Sequence, residues 1–395
     1  MRSVELFAGA GGLAMGMGRA GFNHAAVVEW DHDSCETFRH NQRNHAHDVE
    51  QWPLFECDAR EFDYGTINED VMVVSGGPPC QPFSLGGKHR GNMDERDMFP
   101  EAVRAVRALR PKAFIFENVK GLLRQTFASY FEYIHLQLSH PDLTRKRGET
   151  WEKHRERLER HHTGNQDAAG YNVVYRLLNA ANYGVPQKRE RVFLVGFRSD
   201  LGVEWNFPEE THCEDALLRD QWATGEYWDR HRVAKRDRPS KDEAPSRIAR
   251  MRQGEIITPR LPWGTVRDAI ADLPDPEKRI RHNFANHIFN PGARSYPGHT
   301  GSALDEPAKT LKAGDHGVPG GENMLLRPDG TVRYFTVREA ARLQTFPDDY
   351  VFRGSWSETM RQLGNAVPVR LAEVIARSVA ARLSTAEAPN VLRAA

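Results

Sequence analysis

The sequence predicts an α/β fold: a doubly wound, Rossmann-like sheet domain followed by a smaller, loop-rich module. Three observations carry this. Apolar strand-forming runs alternate with helical patterns along the first 200 residues, the pattern of a mostly parallel sheet with helices on both faces. From about 201 to 330 the alternation gives way to interspersed Pro, Gly, Trp and charge. The length of 395 residues also exceeds one typical domain, so a large domain plus a second module is expected.

Strands are expected at 3–8, 24–30, 71–75, 113–117 and 191–197, with helical patterns such as Glu101–Leu109 between them. The first run, Val4-Glu5-Leu6-Phe7, breaks into Ala8-Gly9-Ala10-Gly11-Gly12, and Leu13 to Ala20 continues as a helix. Strand, glycine turn and helix make a nucleotide cradle, since glycine lets the backbone approach a ligand at a helix N-terminus. The spacing is Gly-x-Gly-Gly, unlike the Gly-x-Gly-x-x-Gly of nicotinamide dehydrogenases, which use similar parts. The second strand ends in Val27-Val28-Glu29-Trp30-Asp31, placing Glu29 to hold ribose hydroxyls. Trp30 reads as an apolar wall or as a core aromatic.

The third run, Val71-Met72-Val73-Val74, leads into Gly76-Gly77-Pro78-Pro79-Cys80-Gln81-Pro82-Phe83-Ser84. Prolines restrict the backbone on both sides of the Cys80 thiol, while the glycines allow a tight exit from the strand. The thiol is either a nucleophile, if its surroundings are electropositive, or an inert buried cysteine in a turn. The fourth run, Ala113-Phe114-Ile115-Phe116, reads as a strand buried on both faces with Glu117 at its C-terminal end, the edge where open α/β sheets bind ligands. Burial there would raise the carboxyl pKa towards that of an acid working near neutral pH. The last run is entered through Lys188-Arg189-Glu190-Arg191. Alternation places both arginines on one side, to hold a substrate or to form a solvated edge.

The cysteines, Cys35, Cys57, Cys80 and Cys213, form no close pairs, and the 17 histidines show no paired metal-ligand spacing. No disulfide framework or metal site is expected. Strand-forming sequence starts at Ser3 and no apolar run approaches a membrane span, so a soluble, cytoplasmic protein is expected. Lys plus Arg and Asp plus Glu are 54 each, so net charge does not reveal a nucleic-acid partner. Charge is nevertheless uneven. Arg230–Arg252 carries nine basic and three acidic residues, and Thr144–His162 seven and four. The first suits phosphate contacts or a solvated face; the second reads as an inserted helix or arm.

Read together, these segments resemble the DNA (cytosine-5)-methyltransferases of bacterial restriction-modification systems nearly end to end. Phe7-Ala8-Gly9-Ala10-Gly11-Gly12 resembles the family's first motif, Glu29-Trp30 the second, Cys57-Asp58 the third and Pro78-Pro79-Cys80-Gln81 the catalytic loop. Glu117-Asn118-Val119 resembles the sixth, Gln187-Lys188-Arg189-Glu190-Arg191 the eighth, Arg338 to Gln344 the ninth, and Gly364-Asn365-Ala366-Val367-Pro368 the last.

The resemblance implies S-adenosyl-L-methionine as cofactor, double-stranded DNA as substrate and Cys80 as nucleophile towards carbon 6 of a flipped cytosine. Glu117 is then the acid at ring nitrogen 3, and Arg191, with Arg189, holds the base. On the cofactor side it implies Phe7 near the adenine, and Ala8, Gly9, Gly11 and Gly12 beneath the methionine part. Glu29 would lie on the ribose, Asp58 on the adenine amino group, Trp30 and Pro79 as walls, and Asn365 closing the site. Gln81–Met98, rich in glycine and basic residues, reads as a mobile lid or a plain surface loop. The implied domains are 1–200 for catalysis and cofactor binding, 201–335 for target recognition, 336–360 for the ninth motif and hinge, and 361–395 returning to the catalytic domain. A monomer, with a cognate restriction endonuclease encoded nearby, is the family expectation. Rival readings are an RNA cytosine methyltransferase of the same fold, a catalytically silent DNA-binding relative and a nicotinamide oxidoreductase. The last leaves Cys80 and the arginine motif unexplained.

Overall fold

The computed structural model describes residues 1–44, 49–79, 97–164, 170–239, 259–278, 280–314 and 323–387. Cys80, the expected lid up to Arg96 and residues 240–252 of the basic stretch lie outside the described residues. The chain forms two compact units: Met1–Leu178, Glu190–Pro208 and Ala372–Ala395 in the first, Asn179–Arg189 and Glu209–Leu371 in the second.

The first unit is built on seven strands: β1 (Arg2–Leu6), β2 (Asn23–Glu29), β3 (Leu54–Glu56), β4 (Val73–Gly76), β5 (Ala113–Val119), β6 (Tyr171–Asn179) and β7 (Glu190–Arg198). Their order across the sheet is β3-β2-β1-β4-β5-β7-β6. The chain winds outwards from β1 to β3, then crosses back to start β4 and β5 on the other side of β1, so the winding reverses between β1 and β4. In open parallel sheets that switch point is where ligands bind. The pairs among β1 to β5 are parallel, while β7 runs antiparallel to β5.

Helices α1 (Gly12–Arg19), α2 (His32–Arg43), α3 (Phe99–Leu109), α4 (Ala128–Ser139) and α5 (Trp151–Gly164) cover the sheet. Val4 and Leu6 of β1, Val74 of β4 and Phe114 and Phe116 of β5 join Phe99, Ala102 and Val106 of α3 in one buried cluster. Ala113 to Asn118 are buried without interruption, as a central strand enclosed on both faces requires. Strands β1 and β4 lie so close that a Cβ on Gly76 would overlap the carbonyl oxygen of Leu6.

The boundaries depart from the sequence reading in places. Strand β1 ends at Leu6 because Phe7 takes a left-handed backbone, φ 55°. The three-residue edge strand β3 and the nine-residue edge strand β6 were not anticipated. Most of the charged stretch 144–162 lies in α5, and two of its cations are matched within the unit: Arg157 pairs with Glu149 at 2.9 Å and Arg155 with Glu159 at 3.1 Å.

The second unit has a three-stranded sheet of Ser302–Ala303, Met324–Leu326 and Val332–Tyr334, a strand pair His212–Cys213 with Leu261–Pro262, and several short helices. Its ninth-motif helix, Val337–Leu343, starts with a reciprocal cap between Thr336 and Glu339. Arg338, fully buried, donates to the carbonyls of Ala285, Pro347 and Tyr350. That motif therefore organises backbone. The chain rejoins the first unit at Ala372, within the helix Val369–Glu387.

Candidate functional site

The features expected of a ligand cradle gather around the switch point of the first unit. After Leu6 the chain turns through Phe7 (φ 55°), Gly9 (φ 54°) and Gly11 (φ 83°), three left-handed residues in five. Glycine adopts this conformation at no steric cost, whereas Phe7 holds it under strain, as residues at functional sites often do. Gly11 is the N-cap of α1 and supplies no side-chain cap, leaving first-turn N–H groups to donate to a partner from outside.

Glu29 fixes this loop. One carboxylate oxygen accepts from the N–H of Gly9 at 2.6 Å, and the other accepts from those of Trp30 at 2.9 Å and Asp31 at 2.8 Å. Burial raises its pKa, and the three N–H donors act in the opposite direction. Beside it Trp30 is 70% exposed, which excludes the core-aromatic alternative. Asp58 holds Arg60 through both oxygens at 2.5–3.0 Å, and this bonding lowers its pKa.

The catalytic half is assembled by β4, β5 and β7. Glu117 and Arg191, expected as acid and base-holder, are brought together: Arg191 Nε lies 2.7 Å from Glu117 Oε1, and both side chains are largely buried. The β5–β7 register explains the meeting, since Val119 faces Arg191 across the ladder, two residues beyond Glu117. The other carboxylate oxygen of Glu117 borders Gly77, where a Cβ would come within 3.2 Å of it. Asn118 donates to the carbonyl of Pro78 at 2.9 Å. The segment leading to Cys80 is thus held against the acid up to Pro79, whose carbonyl accepts from Met98 N–H at 3.1 Å. This bond joins the described residues on either side of segment 80–96.

Arg189 is a correction. It precedes β7, which starts at Glu190, so strand alternation does not extend to it. It belongs to the second unit, is fully buried, and donates to the carbonyls of Leu311 at 3.1 Å and Gly364 at 2.7 Å. Its guanidinium organises main chain there. Asn365 also belongs to the second unit, exposed at the end of the helix Trp356–Asn365.

Two contributors were missed by the sequence reading. Asn118 was quoted within a motif but given no task. Glu5 of β1 is enclosed in the sheet and accepts from Ser75 Oγ of β4, its register partner across the switch point. Desolvation raises its pKa to about 8. The signal for Glu5 was available, because a carboxyl inside an otherwise apolar parallel strand has to be buried.

Fold and site define the class as a Rossmann-like methyltransferase. Residues 1–142 and 152–381 match the model of a family described as C-5 cytosine-specific DNA methylase, and the break falls at the start of the charged stretch. Among curated relatives, the type II methyltransferase M.Eco47II of Escherichia coli is 33% identical over 384 residues, 95% of this chain and 78% of its own length. M.NgoMIV of Neisseria gonorrhoeae is 31% identical, covering 95% of this chain and 96% of its own. Among solved structures, a prophage-encoded DNA modification methyltransferase of E. coli aligns with TM-score 0.58 at 20% identity, over 97% of this chain and 99% of that one. DNMT2 of Spodoptera frugiperda aligns at 0.55 and 16%, over 96% and 99%. These two likenesses concern the fold alone. The chain belongs to the C-5 cytosine-specific DNA methylase family, and it is a DNA cytosine-5 methyltransferase of the type II restriction-modification kind.

Proposed function

We propose that this enzyme methylates carbon 5 of one cytosine within a specific double-stranded DNA sequence, with Cys80 as nucleophile and S-adenosyl-L-methionine as methyl donor. The observation that carries the reading is the Glu117–Arg191 pair beside the segment that leads to Cys80. Carbon 5 is too weak a nucleophile to react unaided. In this reading the Cys80 thiolate bonds to carbon 6 while Glu117 delivers a proton to nitrogen 3, and the displaced electron pair makes carbon 5 nucleophilic. Bound in the cradle, S-adenosyl-L-methionine supplies an electrophilic methyl group. Loss of the proton on carbon 5, departure of the thiolate and return of the nitrogen-3 proton to Glu117 then restore the neutral aromatic ring.

The adjacent carbonyl oxygen and nitrogen 3 of cytosine match a guanidinium and a carboxyl held side by side. Without a base the two groups satisfy each other. An entering base separates them, Arg191 turning to the carbonyl oxygen and Glu117 to nitrogen 3, and Arg191 also favours the nearby thiolate. The cofactor fits the uncapped α1 terminus, the open glycine turn, the Glu29 carboxylate and the exposed Trp30 ring. Glu29 and Asp58 then have lone pairs left for ribose hydroxyls and the adenine amino group, with Phe7, Ala8, Gly12 and Pro79 shaping the walls. A stacked base is out of reach of such a site, so the cytosine is flipped out of the duplex.

Incubation with labelled cofactor and a plasmid, followed by sequencing for 5-methylcytosine, tests the reading and reveals the target; methylated RNA beside unmodified DNA refutes it. DNA carrying 5-fluorocytosine is expected to trap a covalent complex with the wild type and none with Cys80→Ser. Full turnover by Cys80→Ser removes the thiol from the mechanism. An endonuclease gene beside this one, cutting the same sequence, would support the restriction-modification pairing.

A further inference from the structure

The second unit carries an exposed cationic strip whose features match a DNA-reading surface. Between Glu277 and Asp305 the sequence contains no acidic residue and four Lys or Arg, the longest acid-free run in a chain of zero net charge. Nearby arginines of the same unit are neutralised: Arg267 pairs with Asp305 at 2.6 Å and Arg342 with Asp348 at 2.6 Å. Arg281 and Arg294, by contrast, are exposed and pair with no carboxylate among the described residues.

The strip also exposes apolar surface from a rigid base. Asn286, at φ 61°, clamps Phe352 with both amide atoms, at 3.0 and 2.8 Å, and its carbonyl accepts from Arg338 N–H at 3.0 Å. His287 is buried between Thr336 Oγ1 at 2.9 Å and the Pro274 carbonyl at 2.7 Å. The next residue, Ile288, is 75% exposed, and Phe289 after it 37%. Farther on, Tyr296-Pro297-Gly298-His299 closes a tight turn with reciprocal backbone bonds of 3.2 and 2.8 Å, and the Tyr296 and His299 rings lie 4.4 Å apart. Large apolar side chains held out on a firmly bonded backbone mark an interaction surface. Unpaired guanidinium groups beside them select a polyanion.

We propose that the strip Ile280–Thr300 reads the duplex target, with Arg281 and Arg294 as its cations and Ile288–Phe289 as an apolar step against base edges. Arginine recognises guanine edges, and aliphatic or aromatic carbons recognise the thymine methyl or enter between base steps. The assignment rests on the DNA substrate proposed above and adds where its sequence is read.

The test uses the full-length enzyme, a duplex containing the sequence it methylates and a duplex lacking it. Arg281→Gln, Arg294→Gln and the double variant Ile288→Ala/Phe289→Ala are compared with Lys153→Gln on α5. All five substitutions fall on exposed side chains, so unchanged melting curves certify the folds. Each strip variant is expected to lose about 10-fold or more affinity for the target duplex and distinctly less for the other, lowering the specificity ratio; Lys153→Gln is expected to bind as the wild type does. Unchanged binding, or an equal loss on both duplexes, overturns the assignment. If the wild type methylates no DNA, the parent reading fails instead.

Discussion

Arg189 and Arg191 stand two residues apart with opposite employment, and their substitutions should separate accordingly. Arg189 satisfies two buried carbonyls of the second unit. Arg189→Met leaves those acceptors unpaired and is expected to cost about 2–4 kcal/mol of stability, measured by chemical denaturation. Arg191→Lys keeps the charge beside Glu117 but loses the planar fork. It should lower kcat at least about 10-fold with little change in melting temperature; normal turnover would remove Arg191 from the chemistry. Glu117 and Arg191 were legible because strand-end position and residue type agree. Arg189 was misread because counting by twos presumes a strand already under way, and β7 begins one residue later.

Among elements, the close approach of β1 and β4 is the least tolerant feature. A methyl group on Gly76 meets the Leu6 carbonyl in the centre of the sheet, where neither backbone has room to move. Gly76→Ala is expected to yield insoluble protein or a loss of about 3 kcal/mol or more, visible as a collapse of the melting transition; a wild-type melt would show that the strands can separate. The buried strands β1, β2, β4, β5 and β7 were readable as apolar runs, since enclosure on both faces leaves little choice of residue. Strand β3 has three residues, and most of β6 lies at intermediate or full exposure, so neither carries such a signature. The second unit was legible only as loop-rich texture. Its order comes from side chains that hold backbone, such as Arg338 and Asn286, and no periodicity announces such bonds.

At the scale of the whole molecule, balanced charges hide two fully buried groups whose contributions to the pH response of stability oppose each other. Glu5 titrates near 8 in the fold, raised from 4.5 by desolvation. His24, buried between Ser3 and the carbonyl of Ala14, titrates near 4, lowered from 6.5 by the same cause. Between pH 4.5 and 6.5 the folded chain holds one more proton at Glu5 and one fewer at His24 than the unfolded chain, so the two slopes cancel. Above pH 6.5 His24 is neutral in both states and Glu5 acts alone: the folded chain retains a proton that the unfolded chain has lost, and stability falls until Glu5 ionises. At about 1.4 kcal/mol per pH unit, the contribution from pH 6.5 to 8 is roughly 2 kcal/mol. Glu5→Gln keeps the shape and an acceptor for Ser75 but cannot ionise. Denaturation curves across this range should therefore fall less steeply for Glu5→Gln than for the wild type, and parallel profiles would mean that Glu5 is not the group that titrates.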